Sequence, residues 1–305
     1  MALFLGIDGG GTKTTCAVGD ETLLRATATV GGSAMLRVPA DQARSNLRNA
    51  VIQCCKAAGV DPSHMDAAVV GVSGASVPNV VDAVRSTVRE LVSCEVAVVS
   101  DIAIALEAAF AGGPGIVVIA GTGSIATGRN AAGHLARSGG WGRVVSDEGS
   151  AYWIAKRAVA AALEEHECGR DVLLRDILAA WKLTGPEELI KIANAAPAPN
   201  FAELFPQLVR HGAAEAALTA IFHEAGEALA SLVQNVKQRL WRPHDRMRVA
   251  ITGGVFEHAP EVQRLFADII SRDPEVELVP GLIEPVRGAL WMAARVSGRE
   301  LRSSP

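Results

Sequence analysis

Two glycine-rich turns carry the strongest chemical signal in the sequence. An apolar run, Leu3–Ile7, leads through Asp8 into Gly9-Gly10-Gly11-Thr12, which we call the first glycine turn. A second apolar run, Ile116–Ala120, leads into Gly121-Thr122-Gly123-Ser124, the second glycine turn. Successive glycines let backbone N–H groups converge on an anion without obstruction by Cβ atoms, and nearby hydroxyl groups add donors. Both turns are therefore predicted to bind phosphate, although either one alone would also fit an ordinary hairpin turn.

Two other nucleotide-binding patterns fit less well. A P-loop needs glycine directly before its lysine, but Thr12 separates Gly11 from Lys13. The second glycine turn matches the loose GxGxxA dinucleotide pattern after a strand. However, the turn residues 127–130 follow where a helix should continue, and Asp147, at the ribose-binding distance, ends no recognisable strand.

Three aspartates lie where strands end or helices begin. Asp8 ends the first predicted strand beside the first glycine turn, where a carboxylate could hold Mg²⁺ through water or cap the turn. Asp101 follows the run Val96–Ser100 and opens a helix, so helix capping is its alternative role. Asp147 precedes another helix, and the same alternative applies to it.

Hydrophobic periodicity predicts the elements that position these residues. The expected order is three strands, a helix, a strand, a helix, a strand and a helix, and the second half repeats it with a helical insertion. The predicted strands are Leu3–Ile7, Thr14–Val18, Leu23–Val30, Ala67–Val72, Val96–Ser100, Ile116–Ala120, Val249–Thr252 and Val276–Val279, with hairpins after Gly123. The predicted helices are Pro39–Ala58, Val80–Leu91, Ile102–Phe110, Pro260–Ile270 and Glu284–Val296.

The repeat predicts an α/β protein of two similar lobes. The run Ala111-Gly112-Gly113-Pro114-Gly115 is the clearest linker, so we expect one lobe at residues 1–112 and a second at 113–305 with a helical insertion at about 150–240. The two glycine turns would then face each other across a cleft and clamp a polyphosphate from both sides.

Composition excludes several classes of protein. The chain has 305 residues, of which 49% are hydrophobic and 20% charged, so it is not intrinsically disordered. A net charge of −4 gives no basic field for nucleic acid or an anionic membrane, and neither is expected as a partner. No uninterrupted apolar run reaches the ~18 residues of a membrane span. Five cysteines without CxxC spacing indicate reduced thiols and a cytoplasmic protein.

The motifs together resemble a known superfamily. The segment from Gly6 to Thr14 resembles the first phosphate motif of the actin/hexokinase/Hsp70 ATPases, the second glycine turn resembles their second phosphate motif, and Thr252-Gly253-Gly254-Val255 resembles their adenosine motif. Within the superfamily, Gly139-Gly140-Trp141-Gly142 and the run from Asp147 to Ile154 are similar to the N-acetylglucosamine kinases of the BadF/BadG/BcrA/BcrD ATPase group. The resemblance implies two ribonuclease H-like domains with a cleft between them.

The resemblance also implies roles for individual residues. Asp101 would be the base for the 6-hydroxyl of the sugar, and Asp8 would hold Mg²⁺. The sugar would contact Asp147, Gly140 and Trp141, with Gly139 shaping the same wall, and also Ser73 and Gly74. ATP would contact Gly10, Gly11, Thr12, Lys13, Gly121, Thr122, Gly123, Ser124, Gly253 and Gly254.

Two positions depart from the family pattern and bear on the identity of the sugar. Met35 stands where the family usually has an Asn that holds a sugar hydroxyl, and Ser146 stands where it tends to have Gly before the Asp-Glu-Gly-Ser run.

The expected function is therefore an ATP- and Mg²⁺-dependent kinase, acting as a homodimer, that phosphorylates N-acetylglucosamine at the 6-hydroxyl. One alternative is a kinase of glucosamine or another hexose. Another is an ATPase that activates a radical enzyme, which would need cysteines for an iron–sulfur cluster, and the sequence has no suitable group of them. A non-catalytic sugar or nucleotide sensor is the third, and retention of Asp8 and Asp101 argues against it.

Overall fold

The structure, a computed structural model, describes residues 2–20, 23–36, 38–211 and 216–298. These residues form two compact units. Unit 1 contains the chain up to Gly113 together with the residues from Ile283 onward, and unit 2 contains Pro114–Leu282.

Unit 1 is built on a five-stranded mixed sheet. Its strands, in the spatial order β3-β2-β1-β4-β5, are β1 (Phe4–Gly9), β2 (Lys13–Gly19), β3 (Leu24–Gly31), β4 (Ala67–Val72) and β5 (Glu95–Ser100). The predicted helices form as α1 (Ala40–Ala58), α2 (Pro78–Arg89) and α3 (Asp101–Phe110), and a short 3₁₀ turn spans Pro62–His64.

The position of each strand in the sheet explains its sequence pattern. The central strand β1 is buried on both faces, so its residues read as a continuous apolar run. Leu5 and Ile7 enter the core on the α1 side, while Phe4 enters the core on the opposite side. The edge strand β3 alternates between half-buried and exposed residues, as expected for one face packed and one face solvated.

Unit 2 repeats the topology of unit 1. Its sheet has the order β10-β9-β6-β7-β8, formed by β6 (Gly115–Ala120), β7 (Ser124–Arg129), β8 (Leu135–Gly139), β9 (Met247–Thr252) and β10 (Val276–Leu282). In both units the first strand of the unit is central, with the second and third strands on one side and the fourth and fifth on the other. The prediction of two similar α/β halves is confirmed.

The helical insertion lies between β8 and β9 of unit 2. It comprises α4 (Ala151–Glu167), α5 (Val172–Trp181), α6 (Pro186–Ala193), α7 (Phe205–His211) and α8 (Ala216–Leu240), with a 3₁₀ turn at Phe201–Leu204. The short helix α9 (Gly254–His258) and α10 (Pro260–Ile270) follow β9. Periodicity had not predicted the separate helix α9, because it has only five residues.

Helix α8 is long and apolar enough to span a membrane by length and composition alone. Half of its most apolar window is buried inside the protein, and Leu218, Phe222, Leu229 and Val236 belong to the core of unit 2. A helix that contributes this much to a core passes the same hydropathy test as a membrane span, so the result is explained by packing.

The last helix, α11 (Pro285–Val296), belongs to unit 1 and not to the second lobe predicted at 113–305. It packs against β1, β4 and α3, and Ala289, Leu290 and Ala293 complete the core on that side of the sheet. The chain therefore leaves unit 1 after Gly113 and returns to it at Ile283, whereas a boundary drawn from linker composition detects only the first crossing.

Candidate active site

The parallel strands of unit 1 bring two of the predicted aspartates to one edge of the sheet. In the registers of β1 with β4 and of β4 with β5, Gly9, Val72 and Ser100 lie in one row. Asp8 is the last residue but one of β1, and Asp101 is the first residue of α3, so both lie at the same carboxyl edge. Ligands of open α/β sheets bind at this edge, so the topology places both carboxylates where chemistry is expected.

Asp8 and Asp101 interact electrostatically. The pKa of Asp8 is raised from its ordinary value to about 7. Burial is the main cause, the negative charge of Asp101 also raises the pKa, and the Lys13 ammonium lowers it. A carboxylate whose pKa is displaced by burial and by a second carboxylate is typical of functional sites. The two aspartates thus form a pair in which Asp8 gains a proton more readily than an ordinary aspartate.

Asp101 is not the N-cap of α3. The Ser100 side chain fills that position, and its Oγ accepts a hydrogen bond from the Ala103 N–H at 3.1 Å. Asp101 is the first helical residue and is half-buried, with its Oδ1 accepting from the Ile102 N–H at 3.0 Å. The helix N-terminus favours the ionised carboxylate at this position.

The first glycine turn is closed by the Gly10 N–H, which donates to the Lys13 carbonyl at 3.0 Å. The Thr12 and Lys13 side chains are exposed beyond it. On its inner side, the Gly10 carbonyl accepts hydrogen bonds from the Ser33 and Ala34 amides. The turn therefore has one side bound to the protein and one side open to solvent.

The second glycine turn is joined to the segment that carries Asp147. The Ser124 hydroxyl donates to the Glu148 carbonyl at 2.7 Å, and the Ala151 N–H donates to the Gly121 carbonyl at 2.9 Å. Ser124 is buried and its hydroxyl proton bonds inside the protein, so a contact of Ser124 with phosphate stays a prediction. Gly121, Thr122 and Gly123 remain half-exposed.

Asp147 is buried in a strained backbone conformation. Its side chain is 2% exposed and its φ is +70°, a region that residues other than glycine rarely adopt. Such strain is concentrated at functional sites. The capping alternative does not apply, because Ser150 is the N-cap of α4 and its Oγ accepts from the Trp153 N–H at 3.2 Å.

The predicted adenosine motif lies beside the second glycine turn. Strands β6 and β9 are parallel neighbours, with Ile119 opposite Thr252, so the residues after both strands meet. Gly253 has φ +108°, and a Cβ there would overlap the Ala120 carbonyl oxygen. Only glycine allows the two backbones to approach this closely, so the close packing of β6 and β9 requires glycine at position 253.

The Gly139–Gly142 segment presents an exposed aromatic ring. Trp141 is 66% exposed, and the Arg137 guanidinium lies 4.0 Å from the ring centroid. Trp141 is therefore not packed into the core. Gly139 and Gly140 have φ values of +73° and +68°, which fold the loop back after β8. Among the predicted sugar contacts, Trp141 is thus available to a ligand in solution.

Ser73 and Gly74 follow β4 at the same edge as Asp8. Gly74 has φ +89°, and the exposed Leu36 side chain lies against it, so the β4–α2 and β3–α1 loops of unit 1 are in contact. Met35 is half-buried and packs against the apolar core of unit 1. It therefore offers an apolar surface where the family usually has a hydrogen-bonding amide.

Several side chains have roles in shaping the site that the sequence did not reveal. Ser100 and Ser150 take the capping roles that had been considered for the aspartates. Thr14, Ser33 and Asn46 support the first glycine turn from behind. A serine directly before an aspartate or at the start of a helix is a detectable capping signal, but hydrogen bonds between residues far apart in sequence leave no local pattern.

Across the described ranges, no group of three or more His, Cys, Asp or Glu side chains could hold a metal ion. Asp8 alone is still compatible with Mg²⁺, because this ion is usually bound through one or two carboxylates, water and the phosphates of the substrate.

Comparisons with known proteins agree with these motifs. The model of the BadF/BadG/BcrA/BcrD ATPase family matches residues 5–293. An N-acetylmuramic acid/N-acetylglucosamine kinase of Clostridium acetobutylicum is 28% identical, over 96% of this chain and 98% of that protein. An N-acetyl-D-glucosamine kinase of Dictyostelium discoideum is 30% identical, over 95% and 97%.

Two solved structures share the fold. A candidate N-acetylglucosamine kinase from Chromobacterium violaceum has a TM-score of 0.73 at 23% identity, covering 95% of this chain and 98% of that one. A ROK family glucokinase from Streptomyces griseus, solved with glucose and AMPPNP, has a TM-score of 0.64 at 15% identity, covering 96% and 100%. The predicted class, α/β with two actin-like ATPase domains, is confirmed.

Proposed function

Since the chain belongs to the BadF/BadG/BcrA/BcrD ATPase family, we propose that it is an ATP-dependent kinase that phosphorylates N-acetylglucosamine at the 6-hydroxyl. The observation that carries the proposal is the carboxylate pair of unit 1. Asp8 and Asp101 lie at one sheet edge, beside the first glycine turn, and are close enough for the charge of one to raise the pKa of the other. The two full-length relatives named as N-acetylglucosamine kinases support the choice of sugar.

Each unit contributes separate contacts to the two substrates. In unit 1 the backbone of Gly10 and Gly11 binds ATP phosphates, and Ser73 and Gly74 contact the sugar. In unit 2 the backbone of Gly121–Gly123 binds phosphate, while Gly253 and Gly254 let the adenosine lie close to the main chain. Asp147 accepts hydrogen bonds from sugar hydroxyls, and Trp141 with Gly140 contacts the 2-acetamido group.

Asp101 acts as the base in this proposal. Phosphoryl transfer requires mainly that the protein position the substrates and neutralise charge, with a carboxylate to accept the hydroxyl proton. The sugar oxygen forms a bond to the γ-phosphorus as the bond from that phosphorus to the β,γ-bridging oxygen breaks. The hydroxyl proton passes to the Asp101 carboxylate, and the products are the sugar phosphate and ADP.

Asp8 would hold Mg²⁺, which neutralises phosphate charge when it is bound with ATP. Its position at the end of β1, next to Gly9 and Gly10, supports this role. Ionised Asp8 is costly in the free protein, because burial and Asp101 both raise its pKa. A cation would remove that cost, so the residues present fit the ion.

A second sugar is a candidate because of Met35. Its side chain packs against the core of unit 1 and provides no hydrogen bond to a sugar hydroxyl. With Met at this position, the binding of glucosamine or another hexose would be weakened less than the binding of a sugar that depends on a hydrogen bond to the amide.

The experiment is an ADP-release assay with ATP, Mg²⁺ and a panel of N-acetylglucosamine, N-acetylmuramic acid, glucosamine and glucose. We expect the highest kcat/KM with N-acetylglucosamine, and a product whose ³¹P–¹H coupling places the phosphate on C6. Higher kcat/KM with glucosamine or glucose would favour the second candidate. Absence of sugar-dependent ADP release with every sugar would refute the kinase.

A further inference from the structure

The segment Gly31–Ala34, between β3 and α1, forms a support behind the first glycine turn. The Ser33 and Ala34 amides donate to the Gly10 carbonyl at 3.0 Å and 3.1 Å. Gly32 is buried directly against Gly11, so closely that a Cβ on Gly32 would overlap the Gly11 carbonyl oxygen. The two backbones are therefore in direct contact, and the position of one determines the position of the other.

Side chains from two further elements hold this support in place. The Thr14 hydroxyl of β2 donates to the Ser33 hydroxyl at 2.8 Å, and both residues are essentially inaccessible to solvent. The Asn46 amide of α1 donates to the Gly32 carbonyl at 2.7 Å. Buried hydrogen-bonding groups of this kind are costly to leave unpaired, so they favour one arrangement of the segment.

The arrangement determines the direction of the Gly11 amide. In a trans peptide the C=O of one residue and the N–H of the next point to opposite sides. Because the Gly10 carbonyl is held on the supporting segment, the Gly11 N–H points away from it, toward the open side of the turn. Without the support, two successive glycines would sample many conformations and lose that freedom on binding.

We propose that Thr14, Ser33 and Asn46 are positioning residues that set Gly10 and Gly11 for ATP phosphates before the nucleotide arrives. The inference rests on the proposed function, since it assigns the ligand of this turn. Preorganised donors improve affinity mainly by removing the cost of ordering the site. The contribution of these residues should consequently appear in nucleotide affinity, and not in the chemical step or in sugar affinity.

The test compares Thr14→Val with Thr15→Val. Thr15 is the next residue of β2, and its hydroxyl makes a similar contact, 3.2 Å from the Thr29 hydroxyl, on the exposed face of the sheet. Both substitutions remove one hydroxyl–hydroxyl hydrogen bond and keep the shape of the side chain. A matched pair on α1 is Asn46→Ala with Asn49→Ala, because Asn49 is exposed on the same helix.

The readouts are the Kd for Mg²⁺-AMPPNP by calorimetry without sugar, the KM values and the melting temperature. We expect Thr14→Val and Asn46→Ala to weaken AMPPNP binding about five- to thirtyfold, with kcat and the sugar KM within about twofold of wild type. Thr14→Ser keeps the hydroxyl group and should bind AMPPNP with wild-type affinity. Thr15→Val and Asn49→Ala should change it less than twofold.

Wild-type AMPPNP affinity in folded Thr14→Val and Asn46→Ala would overturn the proposal, even if their melting temperatures fall. If Thr14→Val does not fold, the half-buried Asn46 gives the deciding variant, since it lies on α1 and its replacement changes no side chain of β2 or β3. Failure of the proposed function itself would look different, because wild-type protein would then show no AMPPNP binding or no sugar-dependent turnover.

Discussion

Ser100, and not Asp101, is the N-cap of α3. The serine hydroxyl accepts the Ala103 amide, and the aspartate occupies the first helical position. At that position the partial positive charge of the helix N-terminus favours the ionised form. Its environment is thus suited to a group that must be deprotonated before it can accept a proton.

Replacing this carboxylate by an amide should remove the base and preserve the shape of the side chain. We expect Asp101→Asn to lower kcat by ~10²–10⁴ with little change in ATP KM. Steady-state kinetics with N-acetylglucosamine checks this, with Asp82→Asn on the exposed face of α2 as the control. Near-normal turnover of Asp101→Asn would remove this residue from the proposed reaction.

The raised pKa of Asp8 predicts how stability depends on pH. The folded-state pKa of about 7 exceeds the ordinary value of 3.8, so ionisation is more costly in the folded than in the unfolded chain. Stability is therefore lost as the pH rises from about 4 to about 7. In protein without metal, Asp8→Asn should raise the melting temperature by several degrees at pH 8 and by much less at pH 5.

Calorimetric scans in EDTA at pH 5, 6, 7 and 8 measure this difference. Asp268→Asn, at an exposed position of α10, should show no comparable dependence on pH. A melting-temperature difference for Asp8→Asn that is the same at all four pH values would contradict the assigned pKa.

At the scale of elements, local patterns predicted most of the secondary structure. The apolar runs before the glycine turns became β1 and β6, and Pro39–Ala58 became α1 with a shift of one residue. Apolar residues repeat every two residues in a half-buried strand and every 3.6 residues in an amphipathic helix. These repeats involve residues that are close in sequence, so a single sequence reveals them.

Contacts between distant elements could not be predicted in this way. Ser124 and Glu148 are 24 residues apart, and Asn46 is 14 residues from Gly32. Which hydroxyl faces a ligand and which bonds to a neighbouring loop depends on how the elements pack. The hydrogen bond from Ser124 to the Glu148 carbonyl is one such contact, and it could not be predicted from the local pattern of the second glycine turn.

The turn after β9 offers a prediction with an internal control. A Cβ at Gly253 would overlap the Ala120 carbonyl, and its φ is +108°, whereas a Cβ at Gly254 meets its nearest atom, the His258 Cδ2, at 3.8 Å. We expect Gly253→Ala to displace the ends of β6 and β9, to lower the melting temperature and to weaken AMPPNP binding at least tenfold. Gly254→Ala should keep the melting temperature within about 2 °C.

Both variants can be compared by thermal unfolding and calorimetry with AMPPNP. Equal losses of stability would show that the close approach of Gly253 to Ala120 is not what constrains this turn.

At the scale of the whole molecule, the chain crosses twice between its two units. Unit 1 is completed only by α11, which begins 175 residues after the end of α3. The buried Glu107 of α3 forms an ion pair with Arg295 of α11. Periodicity predicted α11 as a helix, but amphipathicity does not identify the sheet that a helix covers. Assigning the last segment to unit 1 required the observed contacts with β1 and β4.

Helices α11 and α3 approach each other closely at Gly288, where a Cβ would overlap the Ile104 carbonyl oxygen and lie 2.6 Å from the Ala108 nitrogen. Gly288→Ala must therefore push the helices apart and open the core around Phe4 and Ala289. Overpacking of this kind costs about 1–3 kcal/mol.

Because α11 covers β1 and β4, we expect hydrogen exchange in Gly288→Ala to accelerate in those strands, while β6 and β9 of unit 2 keep wild-type protection. Gly185→Ala, where the nearest atom is a carboxylate oxygen at 3.3 Å, is the control and should leave both sheets unchanged. Equal acceleration in the sheets of both units would show that the C-terminal helix does not stabilise unit 1 selectively.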